Sequence, residues 1–176
     1  MREKAKELLD NGEFSQSLKD LHGKEVIRTE NGETKTRNLD GSGVRIAFID
    51  QGFDRDMSEF EGRIIHHMTC RWNENKRDYE VVDYTGERAG KDNFHGNTAA
   101  DLAAGEKCGI APKADIYFFE VNGSGDEYAK KVETILNYVR DNMDDLKLDI
   151  ISHSAGASKS ALETADEIRK LRMRIR

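Results

Sequence analysis

One aspartate and one histidine in this sequence stand where proton-transfer chemistry would place them. Asp50 ends the apolar run 43–49, and His95 precedes the Ala- and Leu-rich segment 98–104. A carboxylate that contacts an imidazole fixes the tautomer of the ring and stabilises its protonated form, so that the histidine can act as a general base. We expect such a pair if both loops lie at the same edge of a sheet. The alternatives are that Asp50 only closes a turn and that His95 is a helix cap or a surface residue.

The other four histidines carry weaker signals. His66 and His67 lie on or beside a predicted strand, His153 alternates within another strand, and His22 lies in the N-terminal region. We interpret these four as ordinary strand or surface residues without a role in proton transfer.

The elements that would position Asp50 and His95 alternate between strands and helices. Apolar runs bounded by turn residues predict buried strands, and apolar residues at helical spacing predict amphipathic helices. The predicted strands are 43–49, 63–68, 114–121 and 148–152, and the predicted helices lie near 97–104, 127–143 and 158–171. This alternation predicts an α/β fold with a parallel sheet and helices on both faces. The charged segment 71–93 shows little periodicity and is interpreted as a long surface loop.

The first 40 residues are predicted to form an appendage. A short helix over 3–9 is followed by a hairpin over 24–37, whose turn is the Asn-Gly pair at 31–32. Asn-Gly between extended segments is a strong hairpin signal. The domain organisation is therefore an N-terminal appendage, 1–40, and one α/β domain, 41–176.

Composition bounds the partners and the compartment. With 28 basic and 34 acidic side chains the net charge is −6, which argues against nucleic acid and anionic membranes as partners. No apolar run is long enough to span a bilayer, and the first residues are polar, unlike a secretory signal. We expect a cytoplasmic protein, although a leader outside these residues would change that expectation. Cys70 and Cys108 lack the spacing of a zinc or redox pair, which leaves either two thiols or one disulfide.

Five segments follow one another in an order that indicates a family. They are Gly-Val-Arg-Ile-Ala-Phe-Ile-Asp-Gln-Gly at 43–52, Phe-His-Gly-Asn-Thr at 94–98, Gly-Ile-Ala-Pro-Lys-Ala at 109–114, Gly-Ser-Gly at 123–125 and Asp-Ile-Ile-Ser-His-Ser-Ala-Gly at 149–156. They resemble the landmarks of the subtilisin-like serine proteases, or subtilases. In that family they mark the catalytic aspartate, the histidine, a structural proline motif, a substrate-binding loop and the strand beside the specificity pocket. The resemblance covers residues 41 to about 171.

The resemblance implies a fold and a set of roles. The chain would be the N-terminal part of a subtilase catalytic domain, in which Asp50 orients His95 and His95 acts as the base. An extended peptide would be held as an added strand through main-chain hydrogen bonds. The residues that would flank this peptide are Gly123, Ser124, Gly125, Ser154, Ala155 and Gly156. We expect no cofactor, because the inserted loop that binds calcium in many relatives is missing between 104 and 109; calcium is the one alternative left open.

Three departures from the family pattern affect this interpretation. Phe94 replaces a glycine and Thr98 replaces a second histidine, so the entrance to the helix differs. The family motif Gly-Thr-Ser-x-Ala-x-Pro, which carries the nucleophile, does not occur in these 176 residues. Ser158 and Ser160 follow a predicted strand and are interpreted as helix caps. We therefore expect this chain alone to be inactive, with the serine supplied by a C-terminal segment or a separate chain.

Two other classes of function remain open at this point. The chain could be a non-catalytic peptide-binding module that keeps the substrate cleft, or a doubly wound domain that binds a small molecule with its glycine loops. The last alternative has the least support, because no glycine-rich phosphate fingerprint follows a strand.

Overall fold

The computed structural model describes residues 23–28, 31–54, 56–84, 95–154, 163–168 and 170. The strands are β1 (Lys24–Arg28), β2 (Thr34–Asn38), β3 (Arg45–Asp50), β4 (Ile64–Asn73), β5 (Asp78–Asp83), β6 (Asp115–Glu120) and β7 (Ile150–His153). The helices are α1 (His95–Ala104), α2 (Gly125–Asp141) and the short α3 (Met143–Leu146). Residues 58–60 form a single turn of 3₁₀ helix, and residues 163–168 are helical.

Five strands form one mostly parallel sheet. Their order is β5-β4-β6-β3-β7, in which β4, β6, β3 and β7 run parallel and β5 pairs with β4 in the antiparallel direction. In the Cα register Asp50 lies opposite Glu120, and Ile49 lies opposite His153. The predicted α/β fold with its parallel sheet is confirmed, and β3 lies at the centre of its parallel part. The carboxyl ends of β3, β6 and β7 therefore meet at one edge.

Each face of the sheet is covered by its own apolar cluster. On one face α2 packs through Val132, Ile135 and Val139, all essentially inaccessible to solvent, against Ala47 and Ile49 of β3. The opposite face carries the second cluster, which α1 covers with two buried alanines. The second cluster comprises Ile46, Phe48, Phe53, Phe60, Ala100, Ala104, Ala114, Ile116 and Phe118. Because side chains alternate along a strand, β3 contributes to both clusters and is buried on both faces.

The expectation of a long loop over 71–93 is wrong for its first half. Residues 71–73 extend β4, and β5 follows after a tight turn in which Arg77 has a φ of 52°. Tyr79 and Val81 are partly buried against the apolar cluster that α2 covers. The ring of Trp72 packs edge-on against that of Tyr79, with 5.3 Å between the ring centroids. β5 is a short edge strand in which three of the six residues are charged, so its sequence shows no clear alternation of apolar and polar residues. Residues 85–93 lie outside the described ranges.

The helices begin and end close to their predicted bounds. α1 begins at His95, two residues earlier than predicted. α2 ends at Asp141, two residues earlier than predicted. Residues 143–146 form a separate short helix, which is followed by Lys147 with a φ of 49°. Of the predicted helix 158–171, residues 163–168 and 170 are described and helical. No helix in the described part of the chain is both long and apolar enough to cross a lipid bilayer.

The N-terminal hairpin forms a two-stranded sheet of its own. β1 and β2 pair antiparallel, with Gly32 in the turn at a φ of 79°, as the Asn-Gly signal predicted. The hairpin is attached to the segment before β6, because Gly23 N donates to Ile110 O and Lys113 N donates to Asp40 O. An ion pair of 2.7 Å joins Lys113 to Asp40 and holds the pKa of that carboxyl far below its ordinary value. The predicted short helix 3–9 lies outside the described residues, and the division into 1–40 and 41–176 stays a prediction.

The two cysteines are separate free thiols. Burial raises the pKa of Cys70 to about 12. Burial and then the charge of Asp101 raise the pKa of Cys108 to about 11. Since the thiolate is the reactive form, neither side chain has the character of a nucleophile or a redox centre.

Candidate active site

The loop after β3 and the start of α1 are joined through their backbones. Gly96 N donates to Gln51 O at 2.7 Å, and Asn97 N donates to Gly52 O at 3.3 Å. The first N–H groups of a helix have no partner within the helix, and here the loop carbonyls accept from two of them. Gly52 turns the loop with a φ of 76°, a conformation that suits glycine. This arrangement holds the first residue of α1, His95, beside the last residue of β3.

Asp50 and His95 lie within hydrogen-bonding distance of each other. Oδ1 of Asp50 is 2.8 Å from Nδ1 of His95, and the same oxygen accepts from the backbone N–H of Gln51 at 2.7 Å. Because a carboxylate only accepts, the neutral ring carries its proton on Nδ1 and its lone pair on Nε2. The Asp50 side chain is 7% exposed and that of His95 is 59% exposed. A buried acceptor and an accessible base are the arrangement that general-base chemistry requires.

A buried asparagine holds the loop that follows the dyad. Oδ1 of Asn97 accepts from Asp54 N at 2.9 Å, and its Nδ2 contacts Sδ of Met57 at 3.0 Å. The residue is 3% exposed. Sequence reasoning treated Asn97 only as part of the histidine segment, although an asparagine inside an apolar helix start was a signal that it bonds to backbone.

The residue next to His95 has no room for a side chain. A Cβ atom on Gly96 would lie 2.5 Å and 2.8 Å from two ring carbons of Phe53 and 2.9 Å from Gln51 O. Only glycine at position 96 therefore allows helix α1 to approach the loop this closely. The distance between His95 and Asp50 depends on this approach.

The loop after β6 lies beside the loop that follows β3. Val121 N donates to Asp50 O at 2.9 Å, and the side chain of Gln51 donates through Nε2 to Gly123 O at 3.1 Å. Gly123 and Gly125 have φ values of 116° and 57°. Ser124 is extended at the N-cap position of α2, and its hydroxyl makes no capping hydrogen bond.

The predicted substrate-binding residues are thus only partly described. Gly123, Ser124 and Gly125 lie beside the dyad, and Ser154 follows β7 as an exposed residue at the same sheet edge. Ala155 and Gly156 lie outside the described residues, as do Phe94, Ser158 and Ser160. Within the described ranges, no three His, Cys, Asp or Glu side chains are grouped so that they could hold a metal ion.

A second histidine, His153, lies near the dyad, where sequence reasoning expected an ordinary strand residue. Its Nε2 is 3.3 Å from the hydroxyl of Tyr128, and the two rings stack at 6.2 Å. Burial lowers the pKa of His153, and the negative charge of Asp50 opposes this effect only in part. Burial and then the charge of Asp50 raise the pKa of Tyr128. The structure therefore favours a neutral His153 that accepts a hydrogen bond from the tyrosine.

We expect His153 to make the fold less stable at mildly acidic pH. Because the pKa is lower in the folded state, protonation favours the unfolded chain, and stability falls as the pH drops below the unfolded value of about 6.5. His153→Phe should therefore lose less stability than the parent between pH 7.5 and 5.5, as measured by urea denaturation at each pH. His66→Phe, at an exposed position on β4, is the matched control. A fall equally steep in the parent and His153→Phe would show that His153 does not contribute.

Comparison with known proteins agrees with the fold and its landmarks. The sequence model of the Subtilase family matches residues 41–174. The chain therefore belongs to the subtilase family of peptidases. No curated protein sequence gave a match.

One solved structure supports the same fold. The chain is similar to a protein described as the S41 psychrophilic protease, with a TM-score of 0.57 and 21% sequence identity over 74% of this chain. It is also similar to the CspB protease of Clostridium perfringens, with a TM-score of 0.44 and 14% identity over 73% of this chain. These alignments cover 43% and 34% of the respective proteases, so the chain spans less than half of either. At these identities the likeness concerns the fold alone.

Proposed function

We propose that this chain supplies the aspartate and the histidine of a subtilisin-like serine endopeptidase. The observation that carries the proposal is the 2.8 Å contact between Asp50 Oδ1 and His95 Nδ1, at the carboxyl edge of a subtilase sheet. Family membership supports peptide hydrolysis as the chemistry, and the contact supports the roles of the two residues. The serine would come from a segment beyond these 176 residues or from a separate chain.

The geometry supports one role for each of the two residues in this reaction. Nε2 of His95 takes the proton of the serine hydroxyl as the oxygen attacks the peptide carbonyl, and later returns a proton to the leaving amine. Asp50 accepts from Nδ1–H throughout, so that it holds the productive tautomer and stabilises the imidazolium. Its second contact, from Gln51 N, keeps the carboxylate oriented towards the ring.

The substrate class proposed is a peptide in extended conformation. The segments 123–125 and 154–156 would flank it and bind its main chain as an added strand. Extended backbone at Ser124 and the adjacent glycines leave peptide groups near the dyad. Because these contacts are to main chain, the side-chain preference of the enzyme is set elsewhere.

The edge of the sheet supports a proposal for how the serine joins the site. In the described part of the chain, β7 pairs with β3 on one side and with no strand on the other, and Ile150 is 49% exposed there. An edge strand with an exposed apolar residue can accept a further strand. The partner we propose is therefore a C-terminal segment, or a second chain, that adds to the β7 edge and carries the serine.

Complementation tests the proposal. Residues 1–176 are produced with the downstream segment of the gene, or with a partner chain that carries Gly-Thr-Ser-x-Ala-x-Pro, and are assayed with a fluorogenic peptide and a fluorophosphonate probe. We expect labelling of the serine in that motif and peptide hydrolysis only when both parts are present. The 176-residue chain alone should be neither labelled nor active. Labelling of Ser152, Ser154, Ser158 or Ser160 in the isolated chain would contradict the proposal.

A peptide-binding module without catalysis is the second candidate. It would use the same segments, 123–125 and 154–156, to hold an extended peptide. This candidate would be supported if the chain stays soluble and monomeric alone, binds extended peptides, and gains no activity from any downstream segment.

A further inference from the structure

A second histidine–carboxylate pair lies buried next to the dyad. Nε2 of His67 on β4 is 3.0 Å from Oε2 of Glu120 on β6, and the two side chains are 1% and 0% exposed. Charged or readily charged groups are almost never buried this completely unless they are paired. Nothing in the proton transfers assigned to Asp50 and His95 uses this pair, so its presence needs another explanation.

The surroundings of the pair are aromatic. The ring of Tyr84 stacks on His67 at 4.2 Å, and the rings of Phe53 and Phe118 pack against it edge-on at 6.1 and 5.6 Å. Among the described residues, Nδ1 of His67 and Oε1 of Glu120 have no hydrogen-bond partner. In such a weakly polar site, a charge that is not compensated acts strongly on its neighbours.

The aspartate of the dyad lies on the strand next to Glu120. Glu120 and Asp50 are register partners on adjacent parallel strands, which lie about 4.8 Å apart. Register partners point to the same face, the one that also carries Phe48 and Phe118. Two titratable residues adjoin the pair, since Tyr84 stacks on His67 and Asp50 is the register partner of Glu120, and His95 follows through its contact with Asp50. The molecule thus places two buried carboxylates side by side, and each has its own histidine.

We propose that His67 is a positioning residue for the dyad, which acts by neutralising Glu120. One titratable proton between Nε2 of His67 and Oε2 of Glu120 gives a net-neutral pair, whichever of the two groups carries it. Of the two neighbouring carboxylates, Asp50 and Glu120, Asp50 then remains the one whose charge acts on His95. Without His67, a second negative charge beside Asp50 would over-stabilise the imidazolium and hold His95 in its protonated form, which cannot act as a base. The catalytic meaning of this inference depends on the proposed function, but the electrostatic effect does not.

Titration of His95 in the 176-residue chain tests the inference without any catalysis. The ring signals are followed by NMR from pH 5 to 9 and assigned with His95→Gln. In His67→Phe we expect the midpoint of His95 to rise by about one pH unit, the shift expected for one charge roughly 10 Å away at an effective dielectric constant of about 20. His67→Gln, which keeps a hydrogen-bond donor but has no group that titrates in this pH range, should give the same shift and serves if His67→Phe does not fold.

Removal of the second carboxylate should cancel the effect. Glu120→Gln alone leaves a neutral imidazole beside a neutral amide, so the midpoint of His95 should stay within about 0.3 pH units of the parent, and His67→Phe/Glu120→Gln should restore it. Phe60→Leu, which loosens the same cluster without changing charge, controls for lost packing.

An unchanged midpoint in both His67 variants would overturn the inference, because Glu120 would then neutralise itself by taking up a proton. An equal shift in Phe60→Leu would also overturn it. Neither result would bear on whether the completed chain hydrolyses peptides.

Discussion

Replacing His95 by alanine in the completed enzyme is expected to lower kcat for peptide hydrolysis by about 10⁶-fold, a magnitude known from a member of the same family. The reason is that the serine hydroxyl then has no base within reach, whereas substrate binding by the loops is untouched. KM should therefore change little. The measurement is steady-state hydrolysis of a fluorogenic peptide by the complemented protein.

Asp50→Asn tests the other half of the dyad. Asparagine fills the same space, but its amide donates to the ring and stabilises the tautomer with the proton on Nε2, where the lone pair is needed. We expect a loss in kcat of about 10⁴-fold. His66→Ala is the matched control, because this exposed histidine lies on β4, where its ring contacts Tyr117 at 5.3 Å. Near-parent activity in His95→Ala would show that the base has been misassigned.

Replacing Gly96 by alanine is expected to have the largest structural effect near the site. The new methyl group would meet Phe53 at 2.5 Å and Gln51 O at 2.9 Å, so either the ring or the start of α1 must move. Overpacking of this kind costs about 1–3 kcal/mol, which urea denaturation would detect. In the complemented enzyme, kcat should fall as well, because a shift of α1 carries His95 away from Asp50.

A double-mutant cycle separates the clash from other causes. Phe53→Leu removes the two ring carbons that the methyl group would meet and should cost stability by itself. Combined with Gly96→Ala, it should give a smaller total loss than the sum of the two single variants, since residues in contact are not additive. Strict additivity would show that Phe53 does not set the space at Gly96, and that the contact with Gln51 O dominates.

Much of the scaffold could be predicted from the sequence, because its signals are local. The buried strands β3 and β6 are short apolar runs between turn residues, and such runs remain visible whatever they pack against. The Asn-Gly turn likewise specifies the N-terminal hairpin from a few adjacent residues. The strand β5 was missed, because only its contact with α2 and the pairing with β4 make its charged sequence extended. An edge strand depends on its neighbours more than on its own residues.

The candidate site likewise has features that the sequence predicts and features that only the tertiary structure decides. That Asp50 and His95 could meet was predictable, since each ends or begins an element and parallel strands bring their carboxyl ends to one edge. The distance of 2.8 Å between them was decided by the tertiary structure, through the backbone bonds of α1 to the loop and the space at Gly96. The pairing of His67 with Glu120 had no sequence signal, because 53 residues separate them. Only the side-by-side packing of β4 and β6 makes them partners and places their charge beside Asp50.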